Sequence, residues 1–435
     1  SLGYSFDKND NATQITYPGG VLATYTFDFA DRQASLSVTK GGYPPEVVVS
    51  SAAYRPFGPL SSFGFGGGPT VTRTTDSRYL VDRISTSNGV FDWDYTVDPM
   101  GNPTAIDDMS SVDQDRSFVY QDYAYFLTSG DGPWGARDWT YDMIGNRRTE
   151  VRGATTDVYT YTQFGGHDTS KLAQIAIGGG GGTKTYTYNA SGDNTGTALG
   201  ISTTIYTVDD AHRMATWSVP GSASMGAIYD GRGLLSVTQF PPSKNRKESR
   251  FTFSTAGVLM NRSTISYPGP YEIEDYWYFS FAGLPVALWR TNSFSHEQAI
   301  EKFVVDHLGT PVAWTTVPTS NAGFEPFGAD YAGNLNSLGT GHIFPGQTVD
   351  VSQQPNTSLY YNVNRWYEPQ TGRYTRTDPL RFEGDPHPYA YAMSRPTFFT
   401  DPLGLKVTNN TNCLAFVKEE HTGKTHPLRS GETWD

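Results

Sequence analysis

The sequence predicts an all-β protein made of stacked hairpin repeats in a coiling antiparallel sheet, and three observations lead there. Composition is the first: 46 Gly, 27 Pro and 28 Tyr with only 17% charged residues suit many short strands and tight turns better than helices. The second is a phrase that recurs up to about residue 300: a Tyr-Asp or aromatic-x-aromatic opening, a turn with Gly or Asn, then an apolar strand. The third is length. At 435 residues the chain exceeds the usual size of a single core, a limit that stacked repeats escape.

In order along the chain, the phrase reads YTFDFADR from Tyr25, YTVDPMGN from Tyr95, YDMIGN from Tyr141 and YNASGD from Tyr188. It continues as YTVDDAHR from Tyr206, YDGRG from Tyr229, FSTAG from Phe253 and YFSFAG from Tyr278. Each reads as a hairpin whose aromatic and β-branched residues alternate with polar ones, with Asp, Gly and Asn supplying the turn. One hairpin cannot bury its apolar face alone, so the units must stack side by side. Full closure of such a coil removes exposed edges and creates an inside. The alternative is a propeller, but its blades recur at about 40–50 residues, whereas these phrases come irregularly and often closer.

Several functions are disfavoured. A net charge of −12 and a pI near 5.1 argue against nucleic-acid binding, which needs a basic footprint. The single Cys413 excludes intrachain disulfides and cysteine-clustered metal sites, and no cofactor or metal is expected. No run of 18 or more apolar residues is present, so no membrane span is expected. The Gly-rich stretches at 64–68 and 178–182 read as strand connections, since Thr183 stands where a phosphate loop needs Gly. His296-Glu297 begins a zinc-protease word that Ile300 breaks. The basic run Lys244 to Arg250 reads as a solvated loop. Five Asn-x-Ser/Thr sequons, at Asn11, Asn189, Asn261, Asn356 and Asn409, carry no weight in a chain so rich in these residues.

The stretch from Tyr360 to Leu405 differs. It holds two Asp-Pro steps, Asp378-Pro379 and Asp401-Pro402, joined by a Tyr-rich segment with little helix character. Brought together away from water, two carboxyl groups cannot both ionise, and the pair offers an acid and a base in one place. That is the chemistry of aspartic proteolysis. Turn chemistry is the competing and compatible reading, because Asp401-Pro402-Leu403-Gly404 fits a type I turn.

The words of this stretch resemble the core of the Rhs/YD-repeat family: Tyr360-Tyr361-Asn362, Arg365-Trp366-Tyr367-Glu368-Pro369, Thr371-Gly372-Arg373-Tyr374, Asp378-Pro379 and Asp401-Pro402-Leu403-Gly404-Leu405. Upstream, Asp306-His307-Leu308-Gly309-Thr310-Pro311, Pro326-Phe327-Gly328 and Phe344-Pro345-Gly346-Gln347 resemble it in the same order. The resemblance implies a hollow β-shell around a C-terminal cargo, often a toxin, similar to the shells of Tc-toxin C components and of teneurins. It implies an aspartate pair at Asp378 and Asp401, an assisting Arg365, and a single-turnover self-cleavage between Leu405 and Lys406. The implied partners are the chain's own cargo and a further shell-forming subunit or secretion-system component, and the implied location is secreted or cell-surface.

Two departures stand out: Leu380-Arg381 follows the first Asp-Pro where relatives usually have a hydrophobic residue and Gly, and Glu368 replaces the usual Asp before Pro369. A Gly there could take φ > 0, which would strain Arg381. The expected organisation is a repeat shell over 1–300, a core over 301–405 and the start of a variable cargo over 406–435. That last part has a strand near Cys413 to Val417, a turn at Thr422-Gly423, and too few residues for a toxin fold. The opening Ser-Leu-Gly, without an initiator Met or leader, reads as a fragment or a processed piece. The rival readings are a non-cleaving, teneurin-like adhesion scaffold and a carbohydrate-binding surface of exposed aromatics.

Overall fold

Twenty-eight strands, from Gly3–Phe6 to Pro311–Trp314, join in chain order into one antiparallel sheet. The computed structural model describes residues 1–56, 58–221, 224–239, 247–267, 272–293, 298–315, 323–331, 345, 347–348, 359–380, 387–405, 415–418 and 425–428. Among them the only helical segments are single 3₁₀ turns such as Pro18–Gly20 and Ala392–Ser394. No helix of the described residues is long and apolar enough to cross a membrane.

The recurring phrase is explained by what its Asp does. Asp98 Oδ1 accepts the N–H groups of Met100 (2.8 Å) and Asn102 (2.9 Å), while the Gly101 N–H meets the Asp98 carbonyl at 3.0 Å. Asp28, Asp76, Asp142, Asp209, Asp230 and Asp306 accept the same two N–H groups, two and four residues on. One carboxylate thus satisfies the donors that a reversing chain would leave unpaired. The core word beginning at Asp306 is itself such a turn. Just ahead of these aspartates the ladder slips by one residue, at Thr26/Phe27, Thr74/Thr75, Thr140/Tyr141, Thr207/Val208 and Ile228/Tyr229. Each slip adds twist and bend, and repetition at one place in the hairpin coils the sheet.

Closure differs from expectation. Among the described pairings Pro311–Trp314 meets only Gln298–Val305, and Gly3–Phe6 meets only Ala12–Thr16, so no ladder joins the two ends. The coil advances along its axis, and side chains close it instead. Tyr17 packs edge-on against Phe279 at 5.3 Å and donates to the Tyr278 carbonyl; Trp277 Nε1 donates to the Pro18 carbonyl at 2.7 Å; Tyr25 donates to the Ser280 carbonyl. Lys302 Nζ reaches the Gly66 carbonyl at 2.7 Å, and Arg73 reaches that of Asp306. The stretch at 178–182 is the connection between His167–Ile177 and Gly182–Tyr188, as expected. His296, Glu297 and Lys244 to Arg246 lie outside the described residues, and Lys247 to Arg250 belong to the strand Lys247–Phe253 rather than to the expected loop.

The core segment lies along the row of turns. A three-stranded sheet, Tyr360–Asn362, Arg365–Glu368 and Arg373–Tyr374, is extended by Thr348, which exchanges hydrogen bonds with Tyr361. Arg395 bonds Asn102, His387 bonds Asn146 (2.8 Å), Tyr389 donates to the Gly192 carbonyl (2.7 Å), and the Leu235 N–H donates to Tyr361 Oη (2.8 Å). Trp366 Nε1 donates to Tyr229 Oη at 3.1 Å. Successive repeat turns are thereby tied to one segment. The longer arm of Glu368 is used here, pairing with Lys184 and accepting from Tyr186 (3.2 Å) on the shell wall. Between the early strands and the core lies a cavity of about 780 Å³, lined among others by Tyr17, Tyr25, Tyr54, Leu308 and Leu403. The strands Ala415–Lys418 and Thr425–Leu428 pair with each other, and the turn expected at Thr422-Gly423 lies outside the described residues.

Candidate functional site

Asp378, Asp401 and Arg365 meet, each 2% exposed. Arg365 follows the tight turn at Val363-Asn364, where Val363 adopts φ 51°, a strained conformation for a β-branched residue. The turn is held against the second Asp-Pro word: the backbone and side-chain N–H groups of Asn364 donate to the Leu403 carbonyl (3.2 and 2.9 Å), and Arg365 Nε donates to that of Gly404 (2.6 Å).

Arg365 Nη2 lies 2.8 Å from Asp378 Oδ2 and 2.9 Å from Asp401 Oδ2. The two oxygens are therefore no farther apart than those two contacts combined, so one guanidinium faces two carboxyl groups. The surroundings of the two differ. Asp401 Oδ2 accepts from Arg365 and from the Tyr374 hydroxyl (2.7 Å), and its Oδ1 accepts the Leu405 N–H (2.9 Å). Asp378 Oδ1 accepts the Leu380 N–H (2.8 Å), but among the described residues its Oδ2 accepts no hydrogen bond despite its closeness to Arg365. Burial raises the Asp378 pKa above the usual carboxylate value, against the lowering effect of Arg365 and with a smaller push from Asp401.

Asp401 keeps the turn grammar of the repeats. The Gly404 N–H meets its carbonyl at 3.3 Å, and the N–H four residues on meets Oδ1. The type I turn reading and the paired-carboxyl reading thus describe the same residues. Gly404 is fixed by geometry: its φ is +64°, and a Cβ there would stand 2.4 Å from the Asn362 carbonyl oxygen.

Two residues of the site were not singled out by the sequence. Tyr374 lies under Arg365, whose guanidinium carbon is 3.6 Å from the ring centroid, and Asn362 Nδ2 donates to Tyr374 Oη and to the Asp401 carbonyl, both at 2.7 Å. Both sit inside the core words, and strand alternation gives the available signal. Arg373 turns to the shell at Ser170, so its neighbour must face the other way. Lys406 and Arg381 lie outside the described residues. Among the described residues no group of three or more His, Cys, Asp or Glu could hold a metal ion.

Comparison with known proteins agrees with this architecture. No family model matches the chain. The chain is 37% identical over 118 residues to Toxin protein Tse5 of Pseudomonas aeruginosa, a match covering 25% of this chain and 8% of that protein. It is 40% identical over 62 residues to Double-stranded DNA deaminase toxin A of Burkholderia cenocepacia, covering 14% and 4%. The crystal structure of TcdB2-TccC3 superposes with a TM-score of 0.71 at 16% identity, over 93% of this chain and 22% of that one. The Photorhabdus luminescens Tc holotoxin pore, carrying a TccC3 variant, gives 0.70 at 16% identity over 98% and 22%. The chain therefore spans a minor part of the length of these relatives.

Fold and core together define a coiled, repeat-built β-shell. The chain has the fold of the Rhs-type shell seen in the TcdB2-TccC3 structures, and part of it is similar in sequence to Toxin protein Tse5.

Proposed function

We propose that this chain is the part of a shell that encloses its own C-terminal polypeptide, a toxin cargo, and frees it by one self-cleavage between Leu405 and Lys406. In this reading 1–300 is the shell wall, 301–405 the core that cuts, and 406–435 the start of the cargo. A further shell-forming subunit or secretion-system component completes and delivers the assembly outside the producing cell. The carrying observation is the buried Arg365 shared by Asp378 and Asp401, with the Leu405 N–H held on Asp401. The cavity bordered by Pro402 and Leu403 supports it, because the chain approaches the proposed cut beside that hollow.

The chemistry follows from the unequal carboxyl groups. Asp401, ionised, takes a proton from a water whose oxygen attacks the Leu405 carbonyl carbon. Asp378, protonated, gives its proton to the Lys406 nitrogen as the C–N bond breaks, leaving a Leu405 carboxylate and a Lys406 amine. Arg365 balances one negative charge throughout.

The test is the denatured mass of freshly made chain extending past Lys406. Two pieces with a new N-terminus at Lys406, absent in Asp378→Asn and in Asp401→Asn, are expected. A single uncut mass in the unaltered chain refutes the reading and leaves a scaffold.

A further inference from the structure

The aspartate pair is asymmetric, and a fourth residue makes it so. Tyr374 Oη receives a hydrogen bond from Asn362 Nδ2 at 2.7 Å, and the Tyr374 ring is fixed beneath Arg365. With one lone pair of the hydroxyl occupied and the ring immobile, its proton points at Asp401 Oδ2, 2.7 Å away. Asp378 Oδ2 has Arg365 Nη2 at 2.8 Å, and among the described residues no hydroxyl donates to it.

We propose that Tyr374 is a positioning residue of the pair: by donating to Asp401 Oδ2 it keeps Asp401 the ionised member and leaves the shared proton on Asp378. The role rests on the self-cleavage reading above. The titratable groups facing Asp401 are Arg365, Tyr374, Asp378 and Tyr391. Burial, aided by the charge of Asp401, pushes the Tyr374 hydroxyl well above its usual range, so Tyr374 stays a donor wherever cleavage runs.

Tyr374→Phe removes the hydroxyl and keeps the ring. In a brief cell-free translation pulse chased between about pH 5 and pH 8, the acid limb of self-cleavage should move up by about one unit. Cleavage then runs about tenfold slower at the acid end and converges with the unaltered chain at the alkaline end. Tyr367→Phe is the control, because its hydroxyl donates to the Phe327 carbonyl at 2.6 Å in the same aromatic cluster; it should leave the profile in place. An unmoved profile for Tyr374→Phe, or equal slowing at every pH, overturns the proposal. A second measurement does not depend on cutting. In the Asp378→Asn background, infrared titration of isotope-labelled aspartate should show Asp401 protonating at higher pH once Tyr374→Phe is added. If the unaltered chain proves uncut, self-cleavage is refuted and this titration alone decides whether Tyr374 governs Asp401; no movement overturns it.

Discussion

Asp378→Asn and Asp401→Asn should differ sharply in stability although both should stop cleavage. With both carboxyl groups ionised, one guanidinium would face two negative charges at a site 2% exposed. A proton on Asp378 restores neutrality, and Asn at 378 mimics that state. Because burial raises Asp378, the folded chain keeps a proton that the unfolded chain gives up near about pH 4. The stability from this group is full below that value and falls as pH rises towards the folded value, a loss that Asp378→Asn removes. Asp401→Asn instead takes the charge-assisted partner from Arg365 and Tyr374. Breaking a buried pair this way costs about 3–5 kcal/mol. At roughly 2 cal/mol/K of unfolding entropy per residue, that lowers the midpoint by about 3–6 °C. Calorimetry at neutral pH should find Asp378→Asn at or slightly above the unaltered chain and Asp401→Asn several degrees below. Near pH 4 the advantage of Asp378→Asn should vanish. Equal losses for the two variants at neutral pH would refute the placement of the proton.

Two more outcomes follow from the turns. Gly404→Ala must relieve both a φ of +64° and a 2.4 Å approach to the Asn362 carbonyl, so it should cost about 2–3 kcal/mol in urea unfolding and slow self-cleavage at least about tenfold; unchanged cleavage would mean this turn does not set the site. Asp76→Ala removes the acceptor of the Arg78 and Leu80 N–H groups and should cost about 1–2 kcal/mol while leaving the cleavage rate alone; a loss of cleavage would show that shell turns and site are coupled.

The Tyr-Asp phrases were legible because each is local: the aromatic faces inward, and one carboxylate ties the next few residues. The meeting of Asp378, Asp401 and Arg365 was expected from the family resemblance, since spacing alone left turn chemistry as a full account. Tyr374 and Asn362 were not singled out, because their partner Asp401 is far along the chain and nothing in a Tyr or an Asn announces it. Closure was misread for a similar reason. Tyr17 meeting Phe279, and Lys302 meeting Gly66, are accidents of pitch that a hairpin pattern does not encode. The departure at Glu368 became intelligible once Lys184 stood opposite it.

The turn at Asp401 has a consequence for how such a site arises and is lost. Its backbone frame is the one that Asp98 or Asp209 uses merely to reverse the chain. If the proposed self-cleavage holds, what separates a hinge of the wall from a cutting edge is the company of Arg365, Tyr374 and Asp378, not a different scaffold. A single change among those neighbours can disarm the site while every strand keeps its place. Two shells of identical shape can therefore be a dispenser and a sealed vessel, and outline alone will not tell them apart.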